Sequence, residues 1–183
     1  MGYSAAIEKA WEDLARTGVR DNTGVRFLAD EYTIDLSRHK VFSVSKNTAA
    51  SDFTAILILH YLKQRQEGLA ALEGEWVDFR ELAGGDGYYP AFRKRVIEVL
   101  IAKYGKCPDK ILSVFEHFDG QRLDKGDVSI RIEAFAGIPV LVIFWRGDEE
   151  FGPEANLLFD RSICHILCLE DIAVMAGIVA HRL

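Results

Sequence analysis

The chain has 183 residues, 49% of them hydrophobic and 27% charged, and its 28 Asp and Glu against 22 Lys and Arg leave a formal net charge of −6. This length and composition suit one globular domain with a core large enough to need neither metal nor disulfide, and they exclude a disordered polymer. The acidic balance, without a basic run or stripe, argues against nucleic acid, whose binders gain affinity by counterion release through clustered Lys and Arg.

In chain order, Ile7, Ala10, Trp11 and Leu14 recur at helical spacing, with Ser4 as cap and Gly18 as stop. Tyr32, Ile34 and Leu36 then alternate with polar residues, and Ser37–Lys40 turns into Val41–Val44, which predicts a hairpin with one wet face. Thr48 or Ser51 opens a helix over 52–66 whose apolar residues, from Phe53 to Leu62, cover more than one stripe, and Gly68 ends it. Trp76–Leu82 reads as extended or irregular. Gly84, Gly85 and Gly87 predict a permissive loop, and Pro90 the first turn of a helix through Tyr104.

Pro108 starts another predicted helix, with Ile111, Leu112, Phe115 and Phe118 inward and Gly120 as stop. Val128, Ile130, Ile132 and Ala134 mark a half-exposed strand; Gly137 and Pro139 turn the chain into Val140–Trp145, a strand apolar enough to be buried on both faces. A strand over Asn156–Phe159 and a helix over Glu170–Arg182 complete the chain. Short turns between successive strands and helices grouped in clusters imply an α+β fold, a largely antiparallel sheet flanked by helices, as a single domain over residues 1–183.

The N-terminus MGYSAAIEKAW lacks a signal peptide's basic and apolar regions, Ala6 stands where myristoylation needs Ser or Thr, and no apolar run nears the roughly 18 residues of a spanning helix. Three cysteines, Cys107, Cys164 and Cys168, are an odd count and read as reduced thiols. The expected location is cytoplasmic, with no membrane partner.

Two constellations stand out. The first is the strand ending at Trp145, followed by Asp148, Glu149 and Glu150 and then by an apolar run closing on Asp160. Crowded carboxylates beside a core raise at least one pKa by desolvation and like-charge repulsion, the condition for acid–base work or cation capture. The plainer alternative is a solvated turn whose acids pair with Arg146 and Arg161. The second is Trp76–Leu82. If extended, it turns Trp76, Asp78 and Arg80 one way and Val77, Phe79 and Glu81 the other. An indole beside a guanidinium is a platform for a planar or anionic ligand, with Tyr88 nearby to stack. The plainer alternative is an anchoring Trp and an Arg bound to a core-edge acid.

Cys164-His165-x-x-Cys168 falls short of the four ligands that structural zinc takes, and no metal is expected. His60, inside the most apolar helix, reads as a hydrogen-bonded core residue. The glycines after Leu82 lack the dinucleotide spacing, and no P-loop, H-E-x-x-H or nucleophile elbow occurs. No cofactor is implied by motif.

Two segments carry a family resemblance: Gly74–Leu82 with Gly84-Gly85, Tyr88 and Phe92, and Pro139–Trp145 with Gly147–Phe151 and Leu158–Ser162. On these the chain resembles the bacterial Domain of Unknown Function family 3786, from the Ala10-Trp11 helix to the helix start at Leu169-Glu170-Asp171. The resemblance implies no assigned activity. It does imply a place among proteins concentrated in anaerobic bacteria, some fused to iron–sulfur domains of a corrinoid-protein type, and so an association with one-carbon or cofactor metabolism. This chain has no such cluster-binding region, and Cys164 and Cys168 lie outside the family pattern.

The expected function is therefore a cytoplasmic accessory or small-molecule-binding domain of anaerobic bacterial metabolism. Trp76, Arg80, Glu81, Tyr88, Trp145, Asp148, Glu149, Glu150 and Asp160 are the ligand-binding candidates, for a small anionic or planar ligand. An enzyme using Glu149, Glu150 or Asp160 as general acid or base, with Arg80 as electrostatic stabiliser, is the first alternative. A protein–protein interaction module is the second.

Overall fold

The computed structural model describes residues 2–183. Two compact units make up the chain, Met1–Ala70 and Ala71–Leu183. Each combines helices with an antiparallel sheet, so the class is α+β.

The first unit runs α1 (Gly2–Ala15), β1 (Gly24–Phe27), β2 (Asp30–Asp35), β3 (Lys40–Ser43), β4 (Thr48–Ala49) and α2 (Asp52–Glu67). Its strands form a meander, each pairing antiparallel with the next. The expected hairpin is β2–β3, closed by Asp35 opposite Lys40. The short β1 goes beyond expectation; its Val25 and Phe27 are buried while Gly24 and Arg26 are exposed, a period-2 pattern only four residues long. Trp11, 3% exposed, anchors α1 and stacks on His39, ring centroids 5.2 Å apart. Ser4 lies inside α1 rather than capping it, because the helix starts at Gly2. Ser51 does cap α2, its hydroxyl accepting from the Thr54 N–H at 3.4 Å. That helix buries Leu57, Ile58, Leu59, Tyr61 and Leu62, the wide apolar surface its sequence predicts.

The second unit holds β5 (Trp76–Asp78), α3 (Gly85–Phe92), α4 (Glu98–Tyr104), β6 (Gln121–Leu123), β7 (Val128–Phe135), β8 (Ile138–Trp145), β9 (Glu154–Asp160) and α5 (Leu169–Arg182). Antiparallel pairing runs β6–β7–β8–β9–β5. In β8, Ile138 through Phe144 are all buried, as its unbroken apolar sequence requires. Gly137, at φ 80°, makes the tight turn from β7. Val96 and Leu100 from the helical segment and Met175 and Val179 from α5 are each fully buried. Lys103 and Tyr104, at the end of α4, donate to the last carbonyls of α5 at Ala180, His181 and Leu183.

Two helix boundaries differ from the sequence expectation. The glycine-rich stretch is not a loop: helix begins at Gly85, and Pro90 sits inside α3 rather than at its first turn. A π-helical turn, Arg93–Ile97, joins α3 to α4. The helix expected over 108–118 is instead two 3-10 turns, Pro108–Ser113 and Phe115–Phe118. Ile111 and Phe118 are buried there, but Leu112 and Phe115 are only half-buried, so the spacing that suggested one α-helical face does not describe a single buried stripe. Among the described residues no helix is long and apolar enough to cross a membrane.

Gly85 is the sharpest steric constraint. A Cβ there would lie 1.8 Å from the Phe79 carbonyl oxygen, whereas one at Gly87 would meet nothing within 4 Å. Gly85→Ala is expected to destabilise the protein by about 3 kcal/mol, and Gly87→Ala to leave it unchanged or raise stability by about 0.5–1 kcal/mol. Urea unfolding of the two variants checks this; equal stabilities would remove the constraint.

Candidate functional site

The segment after β5 is built by a carboxylate. Asp78 closes the β5–β9 ladder opposite Leu158, then caps a 3-10 turn, Phe79–Glu81. Its carboxylate accepts from the Arg80 N–H at 2.9 Å, and the Glu81 carboxylate accepts from the Asp78 N–H at 2.8 Å, a reciprocal capping box. The same carboxylate accepts from the Arg80 Nε at 3.1 Å and, through its other oxygen, from the Asn156 amide at 2.9 Å. Burial pushes the Asp78 carboxyl up, but the Arg80 backbone N–H, the Asn156 amide and the Arg80 guanidinium outweigh it and hold the group below its ordinary range. The hydrogen bond from Arg80 to Asp78 raises the Arg80 pKa in turn.

Pinned at Nε, the Arg80 guanidinium lies over the Tyr89 ring, its carbon 4.6 Å from the ring centroid. Its side chain keeps 53% of its surface exposed, and among the described residues no other atom of the guanidinium makes a hydrogen bond. Below it the aromatic rings form a packed floor. Phe79 stacks on Phe92 at 4.0 Å, Tyr89 lies 6.1 Å from Phe92, and Phe92 meets Phe159 edge-on at 6.4 Å. Tyr88 tilts against Phe79 at 6.2 Å, stays exposed, and accepts a hydrogen bond from Arg95 at 2.9 Å. Arg80, Glu81 and Tyr88 thus belong to one continuous structure with Tyr89. Trp76 is half-buried at the start of β5; the alternation expected to align it with Arg80 ends at Asp78, where the chain leaves the strand for the 3-10 turn.

Asp160 has a structural post. It is 4% exposed, pairs opposite Trp76, and accepts from the backbone N–H groups of Glu73 at 3.0 Å, Gly74 at 2.8 Å and Ser162 at 3.1 Å. Burial raises its pKa, but these donors and the Ser162 hydroxyl more than compensate, and the carboxyl ends below its ordinary range. Its neighbour Arg161 grips Glu75 through two bonds, at 2.6 and 2.7 Å, and approaches Glu81 at 3.7 Å.

The acidic turn is wet. Trp145, Asp148, Glu149 and Glu150 are all exposed. Asp148 accepts from the N–H groups of Phe151 at 2.7 Å and Glu150 at 2.8 Å, and these bonds hold its carboxyl below the ordinary range. The desolvation expected to raise it is outweighed by these two donors, because the chain turns outward at Arg146, past the end of the sheet. Arg146 and Arg161 do not serve this turn: Arg146 pairs with Asp109 at 2.6 Å and Arg161 with Glu75. Nor are the candidates gathered at one point. Trp145 pairs with Glu154 and Asp160 with Trp76, at opposite ends of β9, about 20 Å apart at strand rise. Among the described residues no hydrogen bond or ion pair joins Arg80 to Asp148, Glu149 or Glu150.

Tyr89, Asn156 and Arg95 are participants absent from the sequence candidates, and Asp78 is the core-edge acid of the plainer alternative for Arg80. The spacing Asp78-x-x-Glu81 carries a capping-box signature that could have located the turn. Asn156 has no local signal, since its partner lies 78 residues away, whereas Arg95 and Tyr88 stand seven apart, two turns along one helical run. The three cysteines are free thiols, Cys168 donating to the Asp171 carboxylate at 3.2 Å. Among the described residues no group of three His, Cys, Asp or Glu is placed to hold a metal ion.

The family model described as a domain of unknown function, DUF3786, matches residues 8–182, nearly the whole chain, and the protein belongs to that family. No curated protein and no solved structure matches it.

The Asp160 carboxylate yields a pH prediction. A folded pKa below the unfolded value contributes stability that is present above the unfolded value, near 4 for an aspartate, and is lost as pH falls through the folded one. Asp160→Asn is expected to cost about 2 kcal/mol at pH 7, with the gap to wild type narrowing below about pH 4. Urea unfolding at neutral and acidic pH measures both; an equal gap at both would show that the charge contributes nothing.

Proposed function

We propose that this member of the DUF3786 family is a cytoplasmic accessory domain of anaerobic bacterial metabolism that binds a small anionic ligand carrying a planar group, at the surface built by Arg80, Tyr88 and Tyr89. The observation that carries the reading is the state of Arg80. Its Nε is anchored to Asp78, its face rests on Tyr89, and more than half of its side-chain surface remains open. An arginine held this way has lost rotamer freedom before any ligand arrives, while its terminal N–H groups still fit a carboxylate or phosphate in a bidentate arrangement. The exposed ring of Tyr88, fixed by Phe79 and Arg95, offers a stacking surface on the same segment.

Trp76 and Glu81 flank this surface as secondary candidates, the first half-buried and the second engaged with the Asp78 N–H. Of the carboxylates in the enzyme alternative, Glu149 and Glu150 are exposed on the wet turn, and Asp160, like Asp148 beside the glutamates, gives little support to acid–base catalysis. Asp148 and Asp160 are each committed to backbone N–H groups, and each is held below the range in which a carboxyl keeps its proton at neutral pH.

Thermal unfolding in the presence of adenosine monophosphate, inorganic phosphate or adenosine tests the reading, because the nucleotide joins both recognition elements and the other two separate them. Adenosine monophosphate is expected to raise Tm by mass action, more than either fragment, and Arg80→Ala to remove the shift. No shift with any of the three, or an undiminished shift in Arg80→Ala, would reject the site.

A further inference from the structure

The second unit also displays two exposed features of opposite charge. One is the acidic loop between β8 and β9. It is stiffened by the two bonds to Asp148 and by the Asp148 N–H donating to the Phe151 carbonyl at 2.9 Å. Glu149 and Glu150 are exposed and have no ion-pair partner among the described residues. Phe151, 70% exposed, is the barest large apolar side chain among the described residues. The other feature is the π-helical turn, where Arg93, Lys94 and Arg95 follow one another, all exposed. Arg93 approaches Glu98 only at 4.0 Å, and neither Lys94 nor Arg95 has a carboxylate partner among the described residues. Residues 79–110 hold seven Lys and Arg against four Asp and Glu in a chain whose net charge is −6. The acidity therefore lies elsewhere, and the turn is a short local basic surface, contrary to the expectation of no basic run.

The spacing of the two features bears on the partner. Gly105, just past α4, packs on Pro153 at the far end of the acidic loop, so closely that a Cβ on it would lie 3.0 Å from the Pro153 ring. Arg95 lies ten residues before Gly105, about 15 Å along the helix. The acidic loop thus sits at the end of the helical run that α3, the π-helical turn and α4 form, and the basic turn near the middle of that run. A twofold axis crossing that run would bring each copy's acidic loop onto the other's basic turn, making the same contact twice and closing the assembly.

We propose that this face is a self-association surface, on which a second copy of the chain docks its Glu149–Phe151 loop against Arg93, Lys94 and Arg95 in a reciprocal, twofold dimer. Charge complementarity sets the register, and Phe151 contributes the apolar contact that each copy otherwise leaves in water. The surface adjoins the ligand reading through Arg95, which holds Tyr88, so the charge reversals that test it are placed on Arg93 and Lys94.

Sedimentation equilibrium of the whole chain, over a range of protein and salt concentrations, tests the proposal. The wild type is expected to dimerise at low salt and to dissociate progressively toward about 1 M salt, where the Debye length falls to about 3 Å. Arg93→Glu with Lys94→Glu, and separately Glu149→Lys with Glu150→Lys, should each weaken the dimer by at least about a hundredfold. Mixing the two variants should restore it, because in the mixed dimer both contacts become complementary again; restoration also shows that both variants are folded. A wild type that stays monomeric at low salt, a dimer that tolerates both reversals, or a mixture that stays monomeric would each overturn the proposal.

Discussion

Two buried aspartates bracket the β5–β9 ladder, and the architecture of the candidate site depends on them. Asp78 stands at one end of this three-residue pairing and Asp160 at the other. Each is nearly inaccessible, and each is compensated by backbone N–H groups of the turn that follows it. A buried carboxylate without such donors would cost several kcal/mol or take up a proton. With them, it converts a short strand into a fixed point. Asp160 also gathers the Glu73 and Gly74 N–H groups, so it holds the segment that leads into β5. Asp78 sets the 3-10 turn that aims Arg80 and delivers the chain to Gly85.

The consequences pass outward from these two points. The turn at Phe79–Glu81 brings the Phe79 carbonyl so close to residue 85 that only glycine fits there. Helix α3 then starts at once, and its Tyr88, Tyr89 and Phe92 close over Phe79. The guanidinium of Arg80 is therefore positioned by a carboxylate below and a ring beside it, neither of which belongs to a mobile loop. Pre-organisation of this kind is what separates a binding arginine from an ordinary surface one, since the ordering entropy has already been spent in folding.

The acidic loop follows the opposite logic. Beyond Trp145 the chain has left the sheet, and its carboxylates meet water and backbone donors rather than apolar neighbours. At Asp148 the backbone donors outweigh desolvation, and the carboxyl ends below its ordinary range. What remains at this loop is net charge and an exposed phenylalanine, features suited to contact with another surface rather than to proton transfer.

Much of the fold was legible from local pattern. The apolar run Val140–Trp145, the alternation from Val128 to Ala134 and the wide apolar surface of residues 52–66 name their elements by apolar pattern, although Trp145 is exposed at the end of the first, while the second, expected to be half-exposed, has no exposed residue and buries Ser129. Helix boundaries were less legible: the glycines at 84–87 signal freedom, yet the fold uses Gly85 for close approach and begins a helix there. The short strands β1, β4 and β6 are too brief for periodicity to register and exist through their neighbours. The residue types of the site were visible in sequence, namely Arg80 and Tyr88, and so were the acids after Trp145, which the fold does not bring to it. Their grouping was not. Asp78 and Tyr89 lie close to Arg80 in sequence, but their meeting depends on where β5 ends and the 3-10 turn begins. The bond between Asp78 and Asn156 is a long-range pairing that no local spacing encodes. Sequence alone determined the class of elements and the chemistry on offer; tertiary structure decided which groups are neighbours, because proximity across a sheet follows from register rather than from order along the chain.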